Sequence, residues 1–340
     1  MSNSAWERDL LSAARPMTTR QLAAEGVGKS ALRGRKWRQV SRGFHVPAAV
    51  APMTAGQRIL EAATRLPVGS AIGGWAAAYT HGIDWMDGID PHTGKDRPID
   101  LVAPHVHRTS GPAIRYRASR LADADLTERS GVPVTTALRT AFDGARWAPD
   151  LTEAITFLDS MLAFPDASPG LLLESFRAYA AERIDWAGSR QARAAAELAR
   201  PGVRSGWESR LRMCWLIEAG LPEPMINVPI FGPDQELLGI GDLFDSEAGV
   251  VAEFDGDHHR DPEQHRLDNI REERFESANL VVVRASKGDM RSERDRLVRR
   301  LTDARRRGEL RDRRLDRWTL RQPAWWIARN HSGGAPHRGS

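Results

Sequence analysis

The feature that most restricts this chain is a pair of carboxylates set inside an apolar strand pattern, in Gly239–His259, GIGDLFDSEAGVVAEFDGDHH. Two apolar runs, Leu237–Phe244 and Gly249–Asp255, flank Asp245-Ser246-Glu247-Ala248, and this order predicts an antiparallel hairpin. On its second strand Val251, Glu253 and Asp255 share one face, and Ala252 and Phe254 take the other. Like charges so placed repel, so solvent, a cation or a basic partner has to meet them.

A length of 340 residues suggests two to three domains, and 41% hydrophobic residues suffice for real cores. The single cysteine, Cys214, excludes an intrachain disulfide framework and a multi-cysteine zinc site. No run approaches the roughly 18 apolar residues of a membrane span, and Met1–Leu10 is too polar for a secretory signal, so a cytoplasmic protein is expected. The net charge of +4 is carried almost wholly by arginine, whose planar fork suits phosphate, and it leans toward nucleic acid.

Residues 1–50 predict a helix over Trp6–Ala14, a second running to Glu25 with Thr18 as cap and Gln21 at the capping-box position, and a third over Ser30–Arg35. Small strands at Trp37–Val40 and Gly43–Val46 follow, the order of a winged helix-turn-helix. Between Gly26 and Pro47 lie Lys29, Arg33, Arg35, Lys36, Arg38 and Arg42 and no acid, a one-signed field that assigns Ser30, Arg33, Lys36, Arg38 and Arg42 to DNA. A merely well-solvated basic domain, or a protein-docking module, has the same arithmetic.

Residues 53–200 predict a mixed helical domain, with helices at Ala55–Leu66, Ile72–Thr80, Thr136–Ala145, Leu151–Leu162, Leu171–Tyr179 and Ser189–Ala199 and strands at Ile99–Ala103 and Ile114–Arg117. His81, His105 and His107 lack metal-site spacing and are set aside. Residues 203–290 predict a helix opened by Ser205, strands at Ile226–Phe231 and in the hairpin, a helix Pro262–Ala278 and a last strand Leu280–Arg284, an α+β core with helices on a small sheet.

With the Ser205 helix beside that sheet, Glu208, Asp242 and Glu253 can converge into an oxygen-lined site for magnesium or manganese, and phosphodiester hydrolysis is the natural reaction. Asp255 extends the face, and His259, next to His258, is a candidate proton donor to a leaving oxygen. Arg266, Arg284 and Lys287 are candidates to meet DNA phosphate. Plainer roles exist for each: Glu208 has the spacing to hold the Ser205 N–H, Asp242 can bind turn amides, Asp255-Gly256-Asp257 can be a turn, and the bases can form surface ion pairs. Beyond them, residues 291–330 hold 14 arginines against six acids, with Trp318, Trp325 and Trp326 expected to dock this tail, and residues 331–340 are expected to be disordered.

Ser205-x-x-Glu208, Gly241-Asp242-Leu243, Val251-Ala252-Glu253-Phe254-Asp255-Gly256 with His259, then Arg266, Asp268, Arg271 and Leu280–Arg284 together resemble the very-short-patch-repair-like endonuclease domain of the restriction-endonuclease-like superfamily. The resemblance covers about residues 203–290 and implies a magnesium-dependent DNA-cleaving core with Glu208, Asp242 and Glu253 in its acidic positions. The superfamily's usual lysine, two residues after the second strand's acid, is Asp255 here. Met17–Val46 resembles the winged helix-turn-helix of abortive-infection antitoxins of the AbiEi type, with further similarity at Ala71–Gly82 and Val132–Asp143. That likeness implies DNA binding and repression, with a toxin partner or homo-oligomer that one chain does not display. Two other readings stay open: a non-catalytic DNA-binding regulator that retains a nuclease fold, and a protein-interaction scaffold.

Overall fold

The computed structural model describes residues 4–106, 109–163, 172–256 and 262–331, with backbone alone at 262–265, 267–269 and 331. The chain is a mixed α and β protein that divides into two compact units, Met1–Pro201 and Gly202–Ser340. The first therefore holds both expected amino-terminal segments, and the second holds the expected core together with its basic tail.

In the first unit Ala5–Ser12 (α1), Met17–Thr18 (β1), Thr19–Ala24 (α2), Lys29–Leu32 (α3), Trp37–Ser41 (β2) and Phe44–Pro47 (β3) form three helices and a small sheet in the order β1-β3-β2. Thr18 caps α2 through Gln21 N–H while the Gln21 side chain accepts Thr18 N–H, the expected reciprocal box. The third helix is shorter than expected, one turn ending at Leu32, because it has no buried residue to extend against. This segment is fastened to the chain beyond residue 50: Asp9 accepts the N–H of Gly56 and the hydroxyl of Tyr79, and Gln57 brackets both backbone groups of Ala14.

Ala55–Ala63 (α4), Ala71–Gly73 (β4), Gly74–Thr80 (α5), Ile99–Ala103 (β5), Ile114–Ala118 (β6), Leu126–Arg129 (β7) and Val132–Thr135 (β8) come next. They are followed by helices Ala137–Trp147 (α6), Leu151–Leu162 (α7), Leu173–Ala181 (α8) and Ser189–Leu198 (α9). The two strands expected in the mixed helical middle are present as β5 and β6, and β4, β7 and β8 join them in a five-stranded sheet, β6-β5-β4-β8-β7. Ala71-Ile72-Gly73 is a strand at its centre, not the start of a helix, and helix begins at Gly74, whose φ of +59° sits against Asp100.

The second unit starts with Gly206–Met213 (α10), capped by Ser205 and continued by a π turn over Cys214–Glu218. Met225–Phe231 (β9), Leu237–Asp245 (β10) and Val250–Asp255 (β11) follow, then Pro262–Ser277 (α11) and Val281–Ser286 (β12), giving a sheet ordered β12-β11-β10-β9. The first three strands pair antiparallel, and α11 is the crossover that lets β12 lie parallel to β11. Lys287–Ser292 (α12), Arg294–Glu309 (α13) and Ala324–His331 (α14) complete the unit.

Two cores sandwich this sheet. Leu211, Trp215, Leu243, Ala252, Val283, Leu297 and Leu301 join α10 and α13 to one face, and Phe244, Val251, Phe275 and Leu280, with Trp318, join α11 and the tail to the other. Gly239 permits the second contact, since a Cβ there would lie 2.5 Å from the Phe275 ring. The tail tryptophans dock as expected, Trp318 edge-on to Phe244 at 5.2 Å and Trp326 edge-on to Phe231 at 5.5 Å.

Candidate active site

Backbone pairing aligns the site. Read one step past Leu243↔Ala252, and between Gly241↔Val228 and Leu243↔Ile226, the register sets Asp242 opposite Glu253 on one side and Asn227 on the other. Glu253 in turn pairs with Arg284, so Asn227, Asp242, Glu253 and Arg284 form one row across all four strands. Asn227 has a left-handed backbone, φ +49°, a conformation asparagine tolerates better than most residues. There the strand loses its alternation: Ile226 packs in one core and Val228 in the other.

Glu208 enters from α10. It is buried, and its Oε2 accepts the Arg204 N–H at 2.8 Å and the Asn227 side-chain amide at 2.8 Å. The capping expectation is thus corrected: the Ser205 hydroxyl accepts the Glu208 N–H, but the carboxylate reaches back to Arg204 and across to β9. Glu253 is 3% exposed and faces Arg271 of α11, with contacts of 3.2 Å to each carboxylate oxygen. Asp242 accepts the Phe254 N–H at 2.8 Å.

The electrostatics show that the three acids converge. Asp242 holds its proton far above the ordinary carboxylate range, up to about 8, first through burial, then through the charges of Glu208 and Glu253, while Phe254 N–H and Arg271 pull the other way. Three carboxylates thus act on one buried position, with Arg271 pulling against them.

That convergence is the test of whether a divalent cation suits the site. Carboxylate oxygens are the donors magnesium and manganese take, and an acid that retains its proton under pressure from two others is a place where a cation lowers the free energy. As they stand, no three carboxylate, histidine or cysteine side chains among the described residues are disposed around an ion. In this arrangement Glu253 is engaged by Arg271.

The remaining expected residues divide. Asp255 ends β11 partly buried, opposite Ser286; His259 lies outside the described residues. Arg266 is exposed on α11, and Lys287 opens α12 partly buried with interactions of its own. Arg284 is engaged by Glu272 at 3.4 Å. In the first unit Ser30, Arg33, Lys36 and Arg42 are exposed, as are Lys29 and Arg35, and none of these five cations forms an ion pair among the described residues. Arg38 differs: it is bound to Glu61 of α4 by two contacts of 2.6 and 3.0 Å and to the Val50 carbonyl at 2.9 Å, so it also serves as a strut between β2 and α4. Of the set-aside histidines, His81 is a buried helix-end residue on the Thr135 carbonyl at 2.8 Å, and burial pushes it down to about 4.

Sequence reasoning missed Asn227, and it quoted Arg271 within the nuclease resemblance without seeing it as the partner of Glu253. The signal for Asn227 was an asparagine inside an apolar run; the pairing of Arg271 with Glu253 had none, because the two lie on different elements. No helix among the described residues is long and apolar enough to cross a membrane. No known protein family matches the chain, and neither a curated protein nor a solved structure matches it.

Proposed function

We propose that the second unit is a divalent-metal-dependent DNA endonuclease core of the restriction-endonuclease-like kind, and that residues 1–50 form a winged helix-turn-helix that brings it to DNA. The reading rests on one observation: Glu208, Asp242 and Glu253, from three separate pieces of backbone, come together at a buried position where burial first, and then the charges of the other two acids, push Asp242 up to about 8. Asp242 and Glu253 are the residues that would hold Mg2+ or Mn2+, which when bound polarises a phosphodiester and lowers the pKa of an attacking water. Glu208 concentrates charge at Asp242 and is itself fixed by Arg204 N–H and Asn227. With Asp255 where a lysine is usual, Arg271 is the cation that faces Glu253. Lys287 and Arg266 are assigned to phosphate, and His259 to the leaving oxygen.

The test is nicking of supercoiled plasmid with Mg2+ or Mn2+ by the whole protein. Asp242→Ala and Glu253→Ala are each expected to lower the rate on the order of 100-fold or more, since loss of groups that only support metal ligands already costs 10–100-fold. Duplex binding in EDTA is expected to survive both changes. Wild-type rates in either variant would remove the assigned roles.

The Arg271–Glu253 ion pair favours a second reading, a DNA-binding regulator whose nuclease fold is held shut by a guanidinium. It predicts no cleavage with any divalent ion, and salt-sensitive binding weakened by loss of Arg33, Lys36 or Arg42.

A further inference from the structure

The basic tail is not absorbed by the acidic site, and α13 orders it into two faces. Leu297, Leu301, Ala304 and Gly308 are buried, and Gly308 allows the helix onto the β10–β11 turn, where a Cβ would lie 2.1 Å from the Ala248 carbonyl oxygen. The opposite face presents Arg296, Arg299, Asp303, Arg306 and Arg307, all exposed. Asp303 is the acid within that stripe, and Asp295 lies at its edge.

These arginines differ from the rest of the tail. Arg294, Arg300, Arg305 and Arg311 are bound to Glu218, Asp289, Asp245 and Asp316 and brace the fold. Arg296 holds Glu293. Arg299, Arg306 and Arg307 form no ion pair among the described residues, and Arg306 and Arg307 line a cleft of about 420 Å³ whose floor is Val282 and Val283 of β12. Arg299 lines a second cleft with Arg291, Arg294 and Arg296.

We infer that this outward face of α13 is a phosphate-backbone track for duplex DNA, built into the second unit and independent of its chemistry. Eight residues separate Arg299 from Arg307, about 12 Å along the helix axis, roughly the width of a major groove between its two phosphate strands. Charge selects the occupant. Between Arg296 and Arg307 the outward positions offer no apolar or aromatic anchor, so a protein partner would find no interface core there. The apolar stripe of α13 is buried against the sheet, so the helix has no face to insert into a lipid surface. Polyanion contact by guanidinium alone remains, and it reads backbone, not sequence.

The inference shares with the proposed function only the premise that the partner is DNA, so it is tested by binding in EDTA, where cleavage plays no part. The whole protein is titrated against a labelled duplex of arbitrary sequence over a range of salt, comparing wild type, R299A/R306A/R307A, and R299K/R306K/R307K. If each arginine neutralises one phosphate, the alanine variant's log K against log salt slope becomes shallower by about 2 to 3, and affinity falls about equally for unrelated sequences. The lysine variant, which keeps the charge, retains most of the binding. Circular dichroism identical to wild type excludes misfolding, and a misfolded alanine variant is replaced by the single changes, each expected to remove about 1 from the slope. An unchanged slope overturns the inference, as does retention of single-stranded RNA or anionic vesicles in preference to duplex DNA.

Discussion

Each unit buries a cluster of charges, and the two clusters are built on opposite plans. In the first, Arg139 contacts Asp143 at 2.8 Å, Asp125 at 2.9 Å, the Ser119 hydroxyl and the Arg120 carbonyl. Arg146 contacts the same Asp143 at 2.7 Å, the same Ser119 and the Ala187 carbonyl, and Tyr179 completes Asp125 at 2.6 Å. Two guanidiniums meet two carboxylates, and Trp147 and Trp186 cover the planes of the arginines. In the second, three carboxylates, Glu208, Asp242 and Glu253, lie together, with amides on Glu208 and Asp242 and the Arg271 guanidinium on Glu253. Buried charge that is matched in sign and hydrogen-bonded specifies a fold; buried charge left in surplus is unfavourable unless something else arrives.

The comparison breaks most directly at Arg139. Replacing it with leucine leaves Asp125 and Asp143 without their shared partner, and a loss of about 3–5 kcal/mol is expected in urea unfolding. No such loss is expected when an acid of the second cluster is neutralised. Asp242→Asn removes a charge its neighbours oppose, so its melting temperature is expected to rise, and to rise with pH. The folded chain raises this carboxyl from 3.8 to about 8, so protons favour the fold: its contribution is complete below the unfolded value and declines as pH climbs from about 4 to 8. The variant should therefore gain most over wild type at pH 8 and least near pH 4, measured by scanning fluorimetry. An equal shift at both ends would show that the surplus is not there.

The smallest expected effect sharpens the contrast instead of breaking it. Manganese at 100 times its dissociation constant stabilises a single-site protein by about 2.7 kcal/mol, and the shift should appear in wild type and vanish in Asp242→Ala. In Arg271→Ala, which removes the competitor for Glu253, the shift should appear at lower manganese. A variant that needs more manganese would make Arg271 a supporter of the ion, not its rival.

Much of the fold was legible because its signals are local. The Thr18 and Gln21 box needs only three residues, and Asp245 holds the N–H groups of Glu247 and Ala248 within the turn that its position in the sequence suggested. The β7–β8 hairpin was missed although Ser130 and Gly131 both take positive φ, as a tight turn requires, because strands of four residues leave little periodicity to read. β4 disappeared into an alanine-rich helix for the same reason. In the site, the acids could be named from the strand pattern, whereas Arg271 could not, since its approach to Glu253 depends on α11 lying against Gly239. The Arg38–Glu61 pair was not legible either, because charge density says nothing of a glutamate 23 residues away.

That Arg38–Glu61 strut, with the Asp9–Gly56 bond beside it, leaves no loose tether after residue 50. The amino-terminal segment is consequently part of the first unit's own packing and not a bead on a leash within it. Through Asp9 the segment holds α4 and, by way of Tyr79, α5, so amputating these fifty residues would also strip the cover from the neighbouring core.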